Sequence, residues 1–251
     1  MLSDLFLTHL EIREDVRCDS YAEALPVVRH MRHAGGIDFT CPVTLLVGEN
    51  GMGKSTLIEA IAVSQGFNPE GGTKNFNFET NATHSSLCDA LRVFKGVRPQ
   101  KDGFFLRAEG VYNAASYIDE LDSDPHAMSL PVICSYGGTS LHKQSHGESF
   151  LAIVENRFGG QGLYILDEPE AVLSPRNVMR LMLAIKRLVD DGSQFIIATH
   201  SPMIMAFPGA CLLELTSEGI EEVDYWATEH FCVMREFLNA PEKVLGELFE
   251  A

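Results

Sequence analysis

Residues 48–55 read Gly-Glu-Asn-Gly-Met-Gly-Lys-Ser, and this octapeptide limits the possible folds more than any other stretch of the chain. Glycines at 48, 51 and 53 are costly inside a helix or strand, so the segment is a loop. The run Val43-Thr44-Leu45-Leu46-Val47 before it is apolar and rich in β-formers, and a helical pattern continues from Lys54 to about Gln65. The order strand, glycine loop, helix matches G-x-x-x-x-G-K-[ST] at every fixed position and in the required context. Such glycines let consecutive backbone N–H groups turn inward around phosphate oxygens, and the positive end of the helix favours the added negative charge. On this reading Asn50, Gly51, Gly53, Lys54, Ser55 and Thr56 cradle the phosphates of ATP. Lys54 binds the β- and γ-phosphates, Ser55 is a Mg2+ ligand, and Thr56 donates to the α-phosphate. A glycine turn that fits by accident is the competing reading, and the strand and helix on either side weigh against it.

Two further motifs follow apolar runs of the kind that fill buried parallel strands. Leu163-Tyr164-Ile165-Leu166 ends in Asp167-Glu168, placing two carboxylates at the carboxyl end of a strand. Asp167 suits the Mg2+ shell, and Glu168 suits the general base that orients an attacking water. Residues 194–199 are a second such run, followed by His200-Ser201-Pro202. His200 stands 33 residues beyond Asp167 with one helix between, which puts it at the same sheet edge, within reach of a γ-phosphate. That helix is marked by Ser174 as a cap, Pro175 in its first position, and Val178, Leu181, Ile185, Leu188 and Val189 at helical spacing.

Twenty-two residues before Asp167, Ser145-His146-Gly147-Glu148-Ser149 opens another helix with a capping box between Ser145 and Glu148. In this order the motifs resemble those of ABC-type ATPases, whose signature S-G-G-E/Q the 145–149 segment approaches with His146 in place of a glycine. Residues 170–174 are similar to that family's D-loop, with Ser174 at its usual aspartate, and Glu109 is the candidate for its Q-loop position. The resemblance implies an α/β fold of the P-loop NTPase, ABC ATPase type: a mostly parallel central sheet flanked by helices, a short helical subdomain over residues 110–160 and a C-terminal hairpin. It also implies an ATPase in which two copies sandwich ATP, each phosphate loop facing Ser145 and Gly147 of the other, with Glu168, His200 and Lys54 catalytic. Only 35 residues, 110–144, separate the Glu109 position from the signature, which leaves no room for a long coiled-coil arm. In Val47-Gly48-Glu49-Asn50-Gly51 and Thr199-His200-Ser201-Pro202 the chain resembles the soluble SMC/RecF-like branch and its small stand-alone ATPases, which implies a compact ATPase head coupling nucleotide state to a protein partner, with DNA repair or defence as one candidate role. The alternative is the nucleotide-binding subunit of an ABC transporter.

At 251 residues the chain is long enough for one substantial core, and a single domain over 1–251 is expected. There is no apolar run of membrane-spanning length and the acidic start is no signal peptide, so a cytoplasmic protein without membrane insertion is expected. Six cysteines without a C-x-x-C pair read as reduced, mostly buried thiols. The formal net charge of −16 opposes nucleic-acid binding over most of the surface. A local excess of +3 over residues 74–107, from Lys74, Arg92, Lys95, Arg98, Lys101 and Arg107 against Glu79, Asp89 and Asp102, is a weak pointer the other way. A helix is expected over residues 22–32 and another around 86–94. Phe6, Tyr21 and Phe39 are available for stacking on adenine but read as core, and the base site is unassigned.

Overall fold

The computed structural model describes residues 4–74, 85–123 and 130–250. In chain order the elements are β1 (Leu7–Ile12), α1 (Ser20–Ala24), α2 (Pro26–Ala34), β2 (Ile37–Asp38), β3 (Val43–Gly48), α3 (Lys54–Ser64), α4 (Leu87–Ala90), β4 (Leu91–Lys95), β5 (Asp102–Arg107) and α5 (Val111–Asp122). They continue with α6 (His146–Arg157), β6 (Gly162–Asp167), α7 (Pro175–Asp190), β7 (Gln194–Ala198), α8 (Pro202–Met205), β8 (Cys211–Leu215), β9 (Ile220–Val223), α9 (Glu229–Asn239) and α10 (Pro241–Glu250). No helix among the described residues is long and apolar enough to cross a membrane.

The main sheet has the order β5-β6-β7-β3-β8-β9, and only β9 runs antiparallel to its neighbour. Its middle strands β3, β6 and β7 are buried along their whole length, as unbroken apolar runs of Val, Leu, Ile and Phe require of strands covered on both faces. The pleat divides these side chains between two cores. Val43, Leu45, Val47, Tyr164, Leu166, Phe195 and Ile197 face α5, α6 and α7. Leu46, Leu163, Ile165, Ile196 and Ala198 pack with α2, α3 and β1. The stripe on α7 follows the expected spacing, with Val178, Leu181, Ile185 and Leu188 buried and Val189 half-buried.

A second, antiparallel sheet, β2-β1-β4, covers the α3 side. Gln194 ties it to the main sheet: its Oε1 accepts from the N–H groups of Phe6 and Leu7 at 2.9 and 2.8 Å, and its Nε2 donates to Leu7 O at 2.9 Å. This sheet corrects the expected helix around 86–94. Only Leu87–Ala90 is helical, and Leu91–Lys95 extends to pair with β1, because strand pairing and the burial of Leu91 outweigh local propensity. The expected 22–32 helix is two helices, because Pro26 holds Leu25 extended (φ −65°, ψ 134°) before a new helix starts. Ser174 occupies the N-cap position of α7 but its side chain makes no capping bond. Of the thiols, Cys211 alone is buried, Cys134 is exposed and the others are half-buried, so the expectation of mostly buried cysteines does not hold.

Candidate nucleotide-binding site

The central strands end side by side, and their carboxyl ends bring the separate motifs together. β3 runs into the glycine loop, where Gly48, Gly51 and Gly53 have φ of 126°, 83° and 96°, values that side-chain-bearing residues adopt at a cost. Gly48 also leaves no space for a Cβ, which would collide with the carbonyl of Leu215 on the adjacent β8, and one at Gly53 would lie 2.7 Å from Val27 Cγ1. The loop therefore needs glycine both for its turn and for its packing. The buried Lys54 folds back across it, its Nζ donating to the carbonyls of Gly48 and Glu49 at 2.7 and 2.8 Å. Burial lowers the pKa of this ammonium, against the opposing pull of Glu168, Asp167 and Glu170.

Ser55 on the first turn of α3 donates from Oγ to Asp167 Oδ1 at 3.2 Å. Burial pushes the Asp167 carboxyl up to about 6, with Arg107 pulling the other way and Glu168 adding to the rise. Arg107 stands opposite Asp167 in the β5–β6 register, with its Nε 3.5 Å from Asp167 Oδ2 and its Nη1 2.8 Å from Glu59 Oε2. Among the described residues no group of three His, Cys, Asp or Glu side chains could hold a metal by itself. One hydroxyl and one under-compensated carboxylate nevertheless fit Mg2+, which usually takes one or two protein oxygens and completes its shell with phosphate and water.

Beyond Asp167, Glu168 adopts a left-handed conformation (φ 47°), a placement that costs about 1–3 kcal/mol and gathers at functional sites. Its N–H donates to Ala198 O at 3.0 Å, joining the end of β6 to that of β7. Its Oε1 lies 3.7 Å from Nε2 of His200. Burial lowers the pKa of His200, with the charge of Lys54 acting in the same direction. Glu170 holds the backbone there: its Oε1 accepts from Thr199 Oγ1 at 2.8 Å and from the N–H of His200. Nδ1 of His200 is 3.0 Å from Nε2 of His230 on α9.

Lys54, Ser55, Asp167, Glu168 and His200 thus meet at one sheet edge. Glu109 is exposed just after β5 and close enough for its charge to act on Asp167. Asn50 and Gly51 are exposed on the loop, and Thr56 is half-buried on α3. Ser145 makes its bonds within α6 instead: its Oγ and N–H both donate to Glu148 Oε2 at 2.7 and 3.0 Å, and Glu148 N–H donates to Ser145 Oγ at 3.3 Å. Gly147 is buried where a Cβ would lie 2.7 Å from Val172 O, while His146 is exposed. The adenine candidates separate, Phe6 and Phe39 lying in the core and Tyr21 65% exposed. The basic excess over 74–107 forms no free patch as a set: Arg107 is spent on Glu59 and Asp167, Arg92 bonds Glu11 at 2.9 Å, and Glu79 lies outside the described residues.

Sequence reasoning missed the roles of Arg107 and His230. A charged residue ending the apolar β5 run was a signal for the first. Nothing local marks the second.

Comparison with known proteins gives similarities in sequence and fold. A profile described as "AAA domain" matches residues 29–98, and one described as "AAA domain, putative AbiEii toxin, Type IV TA system" matches residues 145–206. The chain is 28% identical over 186 residues to the ribose import ATP-binding protein RbsA of Yersinia pestis, covering 66% of this chain and 35% of that protein. It is 28% identical over 172 residues to the nucleoside import ATP-binding protein NupA of Lactococcus lactis, covering 62% and 32%. A shorter match of 105 residues at 32% identity, covering 38% and 11%, is to UvrABC system protein A of Treponema pallidum. The chain spans about a third of the length of the two import proteins. Among solved structures, an inward-facing metal-chelate type ABC transporter shares the fold with a TM-score of 0.51 at 14% identity, over 91% of this chain and 88% of that one. The fold and the glycine loop define a P-loop nucleotide-binding domain. Within that class the ordered motifs are similar to those of ABC-type ATPases, and the fold is shared with the ABC transporter structure.

Proposed function

We propose that the chain acts as one ATPase domain that binds ATP over residues 48–56, hydrolyses it at Glu168 and works as a pair of copies. The observation that carries this reading is the convergence of Lys54, the Ser55–Asp167 pair and the Glu168–His200 pair at the ends of three adjacent strands. The loop's N–H groups and Lys54 bind the phosphates, with Lys54 exchanging its two carbonyl partners for phosphate oxygens. Glu168 accepts a proton from the attacking water and orients it in line, and His200 contacts the γ-phosphate. Ser55 and Asp167 would hold a magnesium ion, which when bound neutralises phosphate charge. Arg107, its Nε 3.5 Å from Asp167 Oδ2, would hold that carboxylate in place.

The signature helix supports the pairing. Ser145 is exposed at the positive end of α6, and its capping box uses only part of that helix's donor capacity, leaving a site suited to the γ-phosphate held by a second copy. Hydrolysis would then separate the copies and pass nucleotide state to a protein partner. A defence or DNA-repair role is consistent with the profile over 145–206 and the short match to the UvrABC protein. The names of the import relatives favour a second reading, a transporter's nucleotide-binding subunit.

The test is Glu168→Gln purified with ATP and Mg2+ and measured by light scattering. Retained ATP, no turnover and a mass twice that of the chain are expected. A monomer at saturating ATP would overturn the pairing, and a copurifying membrane permease would move the reading to the transporter.

A further inference from the structure

We propose that His230, on the first turn of α9, is a positioning residue for His200: it fixes the tautomer in which His200 presents an N–H from Nε2 to the γ-phosphate. The inference rests on the role given to His200 above. It starts from the 3.0 Å separation of His200 Nδ1 and His230 Nε2. Between two neutral imidazoles at that distance one nitrogen donates and the other accepts, so the contact allows two proton arrangements. The outer nitrogens, His200 Nε2 and His230 Nδ1, are both buried atoms without a hydrogen-bond partner among the described residues.

Electrostatics separates the two arrangements. If His200 donated from Nδ1, its Nε2 would carry a bare lone pair 3.7 Å from Glu168 Oε1, an acceptor set against a carboxylate. If His230 donates from Nε2 instead, His200 Nε2 carries the proton and stands beside the same carboxylate as a donor. Either way His230 Nδ1 keeps its orphaned place, so the Glu168 side decides. Burial and the charge of Lys54 lower the pKa of His200 against the opposing pull of Glu168, which favours the neutral ring, the state in which tautomer choice has meaning.

The donor ring is held in place by its own segment. The fully buried Thr228 caps α9, its Oγ1 accepting from Phe231 N–H at 3.4 Å and donating to Tyr225 O at 2.8 Å. Phe231 in turn packs against Tyr225 and Trp226, with ring centroids 4.6 and 4.9 Å apart. Helix α9 is thereby linked through two imidazoles to the position proposed for the γ-phosphate.

Nitrogen-15 NMR of the imidazole rings in nucleotide-free protein at pH 8 tests this directly. A single Nε2–H tautomer of His200 is expected in the wild type, a tautomer mixture in His230→Ala, and the wild-type tautomer in His230→Gln, whose amide places a donor near the original Nε2. In steady-state ATP turnover, His230→Ala should lower kcat about tenfold with KM little changed, and His230→Gln should recover most of it. If alanine loosens α9, His230→Leu fills the space without a donor and gives the same contrast with glutamine. An Nδ1–H tautomer in the wild type, or an unchanged tautomer in the donor-less variants, overturns the inference. A wild type that turns over no ATP counts against the proposed function alone, because the tautomer is read without nucleotide.

Discussion

Asp102 and Asp167 sit at opposite ends of the neighbouring strands β5 and β6, each beside an arginine and each largely buried, with side chains 17% and 6% exposed. Burial raises both carboxyls, yet only one stays raised. Asp102 accepts from Arg157 Nη1, Gly159 N–H and Tyr164 Oη at 3.0, 2.9 and 2.8 Å, and these donors hold it below its ordinary value. Asp167 has the Ser55 hydroxyl and an arginine at 3.5 Å, with Glu168 and Glu109 opposing its ionisation, and rises to about 6. The amino end of the sheet satisfies its buried charge, whereas the carboxyl end leaves its charge under-compensated. The first arrangement serves the fold, and the second is suited to receiving cation and phosphate from outside.

The largest effect that can break this comparison is Asp167→Asn. Turnover should fall roughly 1,000-fold, the scale of losing one preorganised charge contact in a transition state. In metal-free protein at pH 8, where burial makes ionisation of Asp167 costly, the same variant should melt higher than the wild type. The sign follows from the raised pKa: the wild-type carboxyl favours folding below its ordinary value of 3.8 and loses that contribution as pH rises through about 6. Asp102→Ala should behave oppositely, losing about 3 kcal/mol in urea denaturation because Arg157, Gly159 and Tyr164 lose their acceptor. Turnover per folded molecule should not change. Its stability deficit should be full above pH 3.8 and close as pH falls through the lower folded value.

Smaller effects sharpen the contrast at the signature helix. A Cβ at Gly147 would press on Val172 O, so Gly147→Ala should cost roughly 1–3 kcal/mol, measured by thermal melting. Ser145→Ala removes a cap and should cost only about 1 kcal/mol of stability. Its loss of turnover should be far larger than that stability change, since the hydroxyl is assigned to the other copy's phosphate.

What was legible in the sequence is what lies close together in it. The glycine loop between β3 and α3, the acids ending β6, and the Ser145–Glu148 capping box each place their chemistry within a few residues. Strand order was not written locally, and with it went the pairing of Arg107 with Asp167 and the conversion of Leu91–Lys95 into a strand beside β1. His230 was hidden for the same reason, since only the folding back of α9 sets it against His200, thirty residues earlier. Pro26 was a readable break inside the helix expected over 22–32.

The central claim, a nucleotide site shared between copies, is tested most directly by mixing two separately inactive variants, Lys54→Ala and Ser145→Arg, and measuring ATP turnover. A mixed pair holds one site with both an intact phosphate loop and an intact signature. An equal mixture should therefore regain about a quarter of wild-type activity, given random pairing into two-fold dimers. A mixture as inactive as its parts, or full activity of Ser145→Arg alone, would contradict the account.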